Sequence, residues 1–208
     1  GIGTSGNITM NAAQAITLNA DASTTGVTTL NADDGINVNG DFASTKNIIL
    51  DGDANGVADG NDTVTFADGV ILESTGGTVT LEKSNALGAI TLKAQGGLTL
   101  NDDFTSNGLT TIDADTDVAL GGGLFTVASG ATLNTNNNTL VVNALDIDLQ
   151  GNINAGSGDV TISIAQPGVG TQGKIQLGDN TSCPTCTMQV SGAELQRITA
   201  STLTFENS

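Results

Sequence analysis

Residues 51–62 are spaced to surround a hard cation. Asp51-Gly-Asp-Ala-Asn-Gly-Val-Ala-Asp-Gly-Asn-Asp62 follows the pattern D-x-[DN]-x-[DN]-G, with a carboxylate at the twelfth position. In such a loop Asp51, Asp53 and Asn55 turn side-chain oxygens toward one centre, and Gly56 permits the sharp reversal. Val57 contributes its backbone carbonyl, Asp59 acts through a water, and Asp62 closes the site. Calcium is the ion such an all-oxygen set suits, although an aspartate at the last position reaches less far than a glutamate. Strand-like Ile48-Ile-Leu50 and Val64-Thr-Phe66 flank the loop where an EF-hand would have amphipathic helices, so a true EF-hand is excluded. The competing reading is a solvated, metal-free loop rich in Asx turns. The equivalent Asp113, Asp115 and Asp117 lack the glycine and run straight into Val118, which makes a poorer cage.

Cys183-Pro-Thr-Cys186 contains the only two cysteines. A redox role calls for a βαβ frame that the flanking sequence lacks. Zinc calls for two more soft ligands, and the chain has no His. A local disulfide stapling a protruding loop suits an oxidising compartment, with a free or intermolecular pair as the alternative. The missing His also removes the commonest general base. Arg197 is the single arginine, and Lys46, Lys83, Lys93 and Lys174 are scattered. A polysaccharide lyase or hydrolase therefore lacks its basic partner. Asp33-Asp34 and Asp102-Asp103 are adjacent pairs, and neighbours along a strand point to opposite faces. No catalytic residues are assigned, and no enzyme is expected.

The formal charge of −17, from 22 acidic and 5 basic residues, repels nucleic acid and anionic membrane surfaces. It favours divalent cations and basic partners, and it also keeps a secreted protein soluble. No apolar run reaches the length of a membrane span. The chain opens on Gly1-Ile-Gly-Thr4 and ends on Phe205-Glu-Asn-Ser208 within its own strand pattern. The expectation is a single unit, 1–208, belonging to a longer repetitive protein, with secretion inferred from composition.

The elements that must carry these loops are short and alike. Ile16-Thr-Leu18, Ile36-Asn-Val38, Val64-Thr-Phe66, Val79-Thr-Leu81, Leu98-Thr-Leu100, Val160-Thr-Ile162 and similar triplets recur from end to end, separated by Gly, Asn, Asp or Ser. Period-two alternation marks half-buried strands. Aromatic residues make up 2% of the chain, so the core must be thin and aliphatic. The 31 Thr favour strands, and the 28 Gly and 21 Asn suit the corners between them.

A β-sandwich would give similar spacing, but an internal repeat points elsewhere. Gly35-Ile-Asn-Val-Asn-Gly-Asp-Phe-Ala-Ser44 matches Gly97-Leu-Thr-Leu-Asn-Asp-Asp-Phe-Thr-Ser106 at an offset of 62 residues. With about 20 residues per coil, that offset is about three coils. The expected fold is all-β: a right-handed parallel β-helix of about 9–10 coils, rising ~4.8 Å each into a rod of about 45 Å. Aliphatic ladders inside, amide ladders at the corners and Phe42 near the column of Phe104 are expected with it. One break in the rhythm, Ser191-Gly-Ala-Glu194 followed by Leu195-Gln-Arg-Ile198, has a capping-box pattern and predicts a short helical turn over 192–198.

That break also carries a resemblance. Ser191-Gly-Ala-Glu-Leu-Gln-Arg-Ile-Thr-Ala-Ser-Thr-Leu-Thr-Phe205 resembles a recurrent segment of filamentous-haemagglutinin-like exoproteins, in which Ala-Glu-Leu-x-Arg-Ile/Leu-Thr leads into a strand. The Asp148-Leu-Gln-Gly-Asn-Ile153 rung is similar to the same large β-helical class. The resemblance implies a secreted or bacterial cell-surface rod used in adhesion, matrix or filament building, without catalytic residues. The family's amino-terminal secretion domain is not recognisable. Expected partners are neighbouring repeats of the same protein or further copies joined end to end, together with surface carbohydrate or matrix. The alternative is a polysaccharide-binding or polysaccharide-degrading β-helix protein.

Overall fold

The computed structural model describes residues 2–58, 60–117, 122–165, 173–178, 183 and 185–207. Almost every triplet named above is a strand of three to five residues, and its inward–outward–inward burial follows the alternation in the sequence. A strand this short has no stable existence alone. It becomes one by stacking on the equivalent strand a coil earlier, and all the pairings are parallel. Three ladders result, with nine, seven and eight strands, and each coil contributes one strand to each in turn until the coil after Val160–Ile164, which adds none to the second. This is a parallel β-helix, and its nine-stranded ladder agrees with the expected number of coils.

The basic coil is 20 residues: Ile2 pairs with Ala22, Ile8 with Thr28 and Ile16 with Ile36. Inside, one column of the first ladder runs Phe42, Leu72, Leu92, Ile112, Val142, Ile162. These residues are at most 4% exposed. Buried hydroxyls close the lumen at the corners: Thr24 donates to Gly6 O (2.8 Å), Ser44 to Gly26 O (2.7 Å) and Ser74 to Lys46 O (2.8 Å). Inward Ser and Thr thus satisfy corner carbonyls that strand pairing leaves free. Outside, the expected amide ladders form where Asn31 donates to Asn11 (2.8 Å) and Asn39 to Asn19 (3.0 Å).

Glycine is obligatory where coils touch at corners. A Cβ on Gly26 would lie 2.2 Å from the carbonyl carbon of Gly6. Gly35 has φ +92, and a Cβ there would sit 2.1 Å from Asn61 O, so the position is closed both by conformation and by contact.

The 62-residue repeat does not have the expected meaning. Ile36 and Phe42 lie on the third and first ladders, whereas Leu98 and Phe104 lie on the second and third. Phe42 therefore stacks on Ala22 and Leu72, and Phe104 stacks between Ser84 and Leu133. The two phenylalanines are not in one column. The ring that meets Phe104 is Phe66, with centroids 6.5 Å apart and planes tilted by 32°. The sequence repeat records a strand–corner–strand unit, and all faces of the helix can use that unit. Longer coils shift the frame: Phe42 to Leu72 and Ile112 to Val142 are each 30 residues, and Ile162 to Phe205 is 43. Asp33-Asp34 and Asp102-Asp103, read as strand neighbours, lie in corners outside the strands.

The largest excursion follows Val160–Ile164 on the first ladder. Within it Ile175–Leu177 and Met188–Val190 form a separate parallel pair. The predicted helical turn is present at Gly192–Leu195, and the chain then rejoins the third ladder at Ile198–Thr199 and the first at Leu203–Asn207.

Candidate functional site

The sequence drew attention to loops, and the structure places the longest of them at corners. Residues 52–62 leave the second ladder after Ile48–Asp51 and return to the third at Val64–Phe66. Asp51 accepts from Asp53 N (3.0 Å), Asn55 accepts from Val57 N (2.7 Å), and Gly56 N donates to Asp53 O (3.0 Å). Gly56 takes φ +66, the left-handed conformation its place in the motif requires. Asp51 and Asn55 therefore spend an oxygen each on Asx turns. Val57 is 53% exposed, and Asp62 is buried. One oxygen each of Asp53 and Asp62 is buried without a donor. Asp59 lies outside the described residues. Among the described residues, no group of three acidic, cysteine or histidine side chains is arranged to hold a metal ion.

Cys183 and Cys186 are joined, with Cα atoms 5.3 Å apart, and Cys186 N donates to Cys183 O (2.9 Å) in the tight turn between them. The covalent staple expected from the spacing is thus a local one. Residues 179–182 and 184, in the loop predicted to carry it, lie outside the described residues.

The segment behind the family resemblance has a geometric task that its sequence did not announce. Ser191 caps the short helix, accepting from Glu194 N (3.2 Å), while Glu194 Oε2 accepts from Ser191 N (2.8 Å). The other carboxylate oxygen of Glu194 accepts from Leu149 N (3.1 Å), and Arg197 Nη1 donates to Leu149 O. Leu149 ends the last strand of the second ladder, Asp146–Leu149, on which Met188–Val190 packs without continuing the backbone ladder. Its buried peptide groups would lose water with no partner, at a cost of about 1–3 kcal/mol each. Glu194 and Arg197 supply those partners from side chains. At the start of the same strand, Asp146 accepts from Gln189 N (3.0 Å) and Ile147 N (3.0 Å). Burial holds the Asp146 carboxyl above its ordinary range, and Glu194 and Asp148 repel it in the same sense, against those two hydrogen bonds. The one signal of this clamp in the sequence was Arg197, the only arginine, three residues after a capping-box glutamate.

The outward columns differ in composition. On the second ladder one column reads Thr9, Thr29, Ile49, Thr80, Thr99, Thr126 and ends on Asp148, and Asp51 follows Asn31 in another. On the third, Thr and Asn alternate from Thr17 through Asn37, Thr65, Asn85 and Thr105 to Asn134. On the first ladder charges of opposite sign meet, Lys93 stacking between Glu73 and Asp113. Opposite charges side by side support this ladder by a few tenths of a kcal/mol, about what exposed pairs contribute.

Parallel β-helix is the class that these ladders define. Compared with models of known families, with curated proteins and with solved structures, the chain matches none of them.

Proposed function

We propose that this chain is a structural and adhesive element of a secreted or cell-surface bacterial protein, a rod whose coils extend by stacking. The carrying observation is the first rung. Its strands Ile2–Thr4, Ile8–Ala12 and Ile16–Leu18 each have one pairing edge used by the next coil. Met10 is 44% exposed, whereas Leu30, directly above it, is 1% exposed. An apolar recess of about 130 Å³ opens there between Ile8, Met10, Leu18, Ala22, Leu30 and Phe42. Parallel strand edges around an apolar lumen, the same in every rung of the stack, are a template for another rung of the same kind. The neutral Thr and Asn column of the third ladder agrees with a shaft that meets its surroundings on that face through polar, uncharged surface.

Electron microscopy tests the stacking. Purified chain is expected to form straight, unbranched fibres that lengthen with concentration, and Met10→Lys is expected to keep it as short single rods. Short rods in both proteins would limit the chain to a shaft joined covalently to its neighbours. The polysaccharide-degrading alternative makes the opposite biochemical prediction. Acidic and neutral polysaccharides are expected to remain uncut, and cleavage abolished by one Asp substitution would replace the present reading.

Calcium in the 51–62 loop is a separate part of the proposal, supported by the donor-free oxygens of Asp53 and Asp62. Calorimetric titration is expected to give one Ca²⁺ per chain, lost in Asp51→Ala and Asp62→Ala. An absence of heat at millimolar Ca²⁺ removes the ion.

A further inference from the structure

Asp115 follows the strand Thr110–Asp113, at the corner where an insertion delays the return to the second ladder at Leu124. The residue is 3% exposed, and neither carboxylate oxygen has a partner at full hydrogen-bond geometry; the backbone N–H of Asp117 is the donor that comes near it and favours the charged form, against the burial. Backbone closes over it: a Cβ built on Gly123, itself at φ +82, would lie 2.6 Å from Asp115 Cβ and Cγ. The charged groups facing it are acidic. Asp117, from the same corner, brings its carboxyl within hydrogen-bonding reach, and Asp113 adds a second negative charge from the strand end.

Neighbouring coils satisfy those two residues and leave Asp115 to itself. Gln95, one coil earlier, donates its amide to Asp117 Oδ2. Asn143, one coil later, donates to Asp113 Oδ1 (2.8 Å), and Lys93 stacks beside Asp113 in the outward column. Two carboxylates in contact, one of them buried, cannot both stay ionised at low cost.

We propose that Asp115 and Asp117 form a proton-sharing pair. Asp115 is the acid and donates its O–H to the Asp117 carboxylate, which Gln95 holds from the coil before. The shared proton holds the Asp117 carboxylate where Gln95 of the preceding coil reaches it, so the corner is a pH-sensitive fastening. Burial first, then repulsion from Asp117, pushes the Asp115 carboxyl from its ordinary 3.8 up to about 6. A raised carboxyl favours the protonated folded state, so its contribution to stability is complete below the ordinary value. That contribution is lost as pH rises through about 6.

Two measurements test the pair. Carbon-13 NMR of the side-chain carboxyls is expected to show Asp115 titrating near pH 6. In Asp117→Asn, which offers Asp115 an amide donor and removes the neighbouring charge, that midpoint is expected to fall by roughly one unit or more. Thermal unfolding of Asp115→Asn, whose amide donates to Asp117 at every pH, is expected to run about 4 °C above the unmodified chain at pH 8 and level with it at pH 4. Titration of Asp115 in the ordinary aspartate range overturns the proposal, as does a melting difference that ignores pH. If Ca²⁺ raised the melting temperature of the unmodified chain at pH 8 but not that of Asp115→Asn, the pair would be a cation site and the shared proton would be refuted. The NMR titration decides the matter by itself should Asp115→Asn fail to fold.

Discussion

Replacement of Phe104 by alanine is expected to lower unfolding stability by about 3–5 kcal/mol, the largest effect of any conservative truncation in this chain. The ring is 1% exposed and stacks over Ser84, in the coil whose inward residues on this ladder are only Ser84 and Ala86. Phe66 sits on the other side of that coil, beneath Ala86, and its ring reaches Phe104. Two large residues thus fill the space that two small ones leave between them. Removing one ring opens a void that neither Ser84 nor Ala86 can close, and a rigid stack of backbone rungs cannot collapse into it. Urea unfolding measures the loss. Thr105→Ala, one residue along and on the outer face, is the control and is expected to cost within about 1 kcal/mol. Equal costs for the two substitutions would mean that inside and outside have been assigned wrongly.

Glu194→Ala is expected to have the next largest effect, about 2–3 kcal/mol, because one side chain performs two tasks. It completes the capping box with Ser191, and it accepts from the buried amide of Leu149 where the backbone ladder of the second sheet ends. Arg197→Ala should cost less, since it strands one carbonyl and leaves the helix start intact. Hydrogen exchange separates this clamp from a general loss of stability. The Leu149 amide is expected to exchange at least tenfold faster in Glu194→Ala, a loss of about 1.4 kcal/mol of protection at that amide. The amide of Leu92, deep in the first ladder, should change only as far as global unfolding requires. Unchanged protection at Leu149 would reduce Glu194 to a helix cap.

The clamp also gives the family resemblance a physical content. Ala193-Glu194-Leu195 and Arg197-Ile198-Thr199 are spaced so that a short helix ends one ladder while the strand beginning at Ile198 continues another. A β-helix that must interrupt a ladder needs such a device, because side chains have to replace the missing strand's hydrogen bonds. This accounts for the motif without any ligand.

Much of this was legible in the residues. Alternation in Val64-Thr-Phe66 or Leu98-Thr-Leu100 fixes which side chains face inward, because the two-residue period of a strand is local. The short helix was legible for the same reason, since Ser191 and Glu194 satisfy each other within one turn. The proximity of Cys183 to Cys186 needed nothing beyond their spacing.

The stacking frame was not legible. Which strand lies on which depends on the cumulative length of every corner before it, and three long excursions move the frame by amounts that composition does not reveal. That is why the match between Gly35–Ser44 and Gly97–Ser106 joined strands on different faces, and why Phe104 found Phe66 in place of Phe42. The same nonlocality hid Asp115. Asp113, Asp115 and Asp117 read as three carboxylates on a loop, and only Gly123 folding over the middle one, with Gln95 and Asn143 arriving from adjacent coils, separates a buried acid from its neighbours. Local periodicity wrote the strands and their inner faces; the order in which distant rungs meet, and the desolvation that follows, came from the tertiary structure.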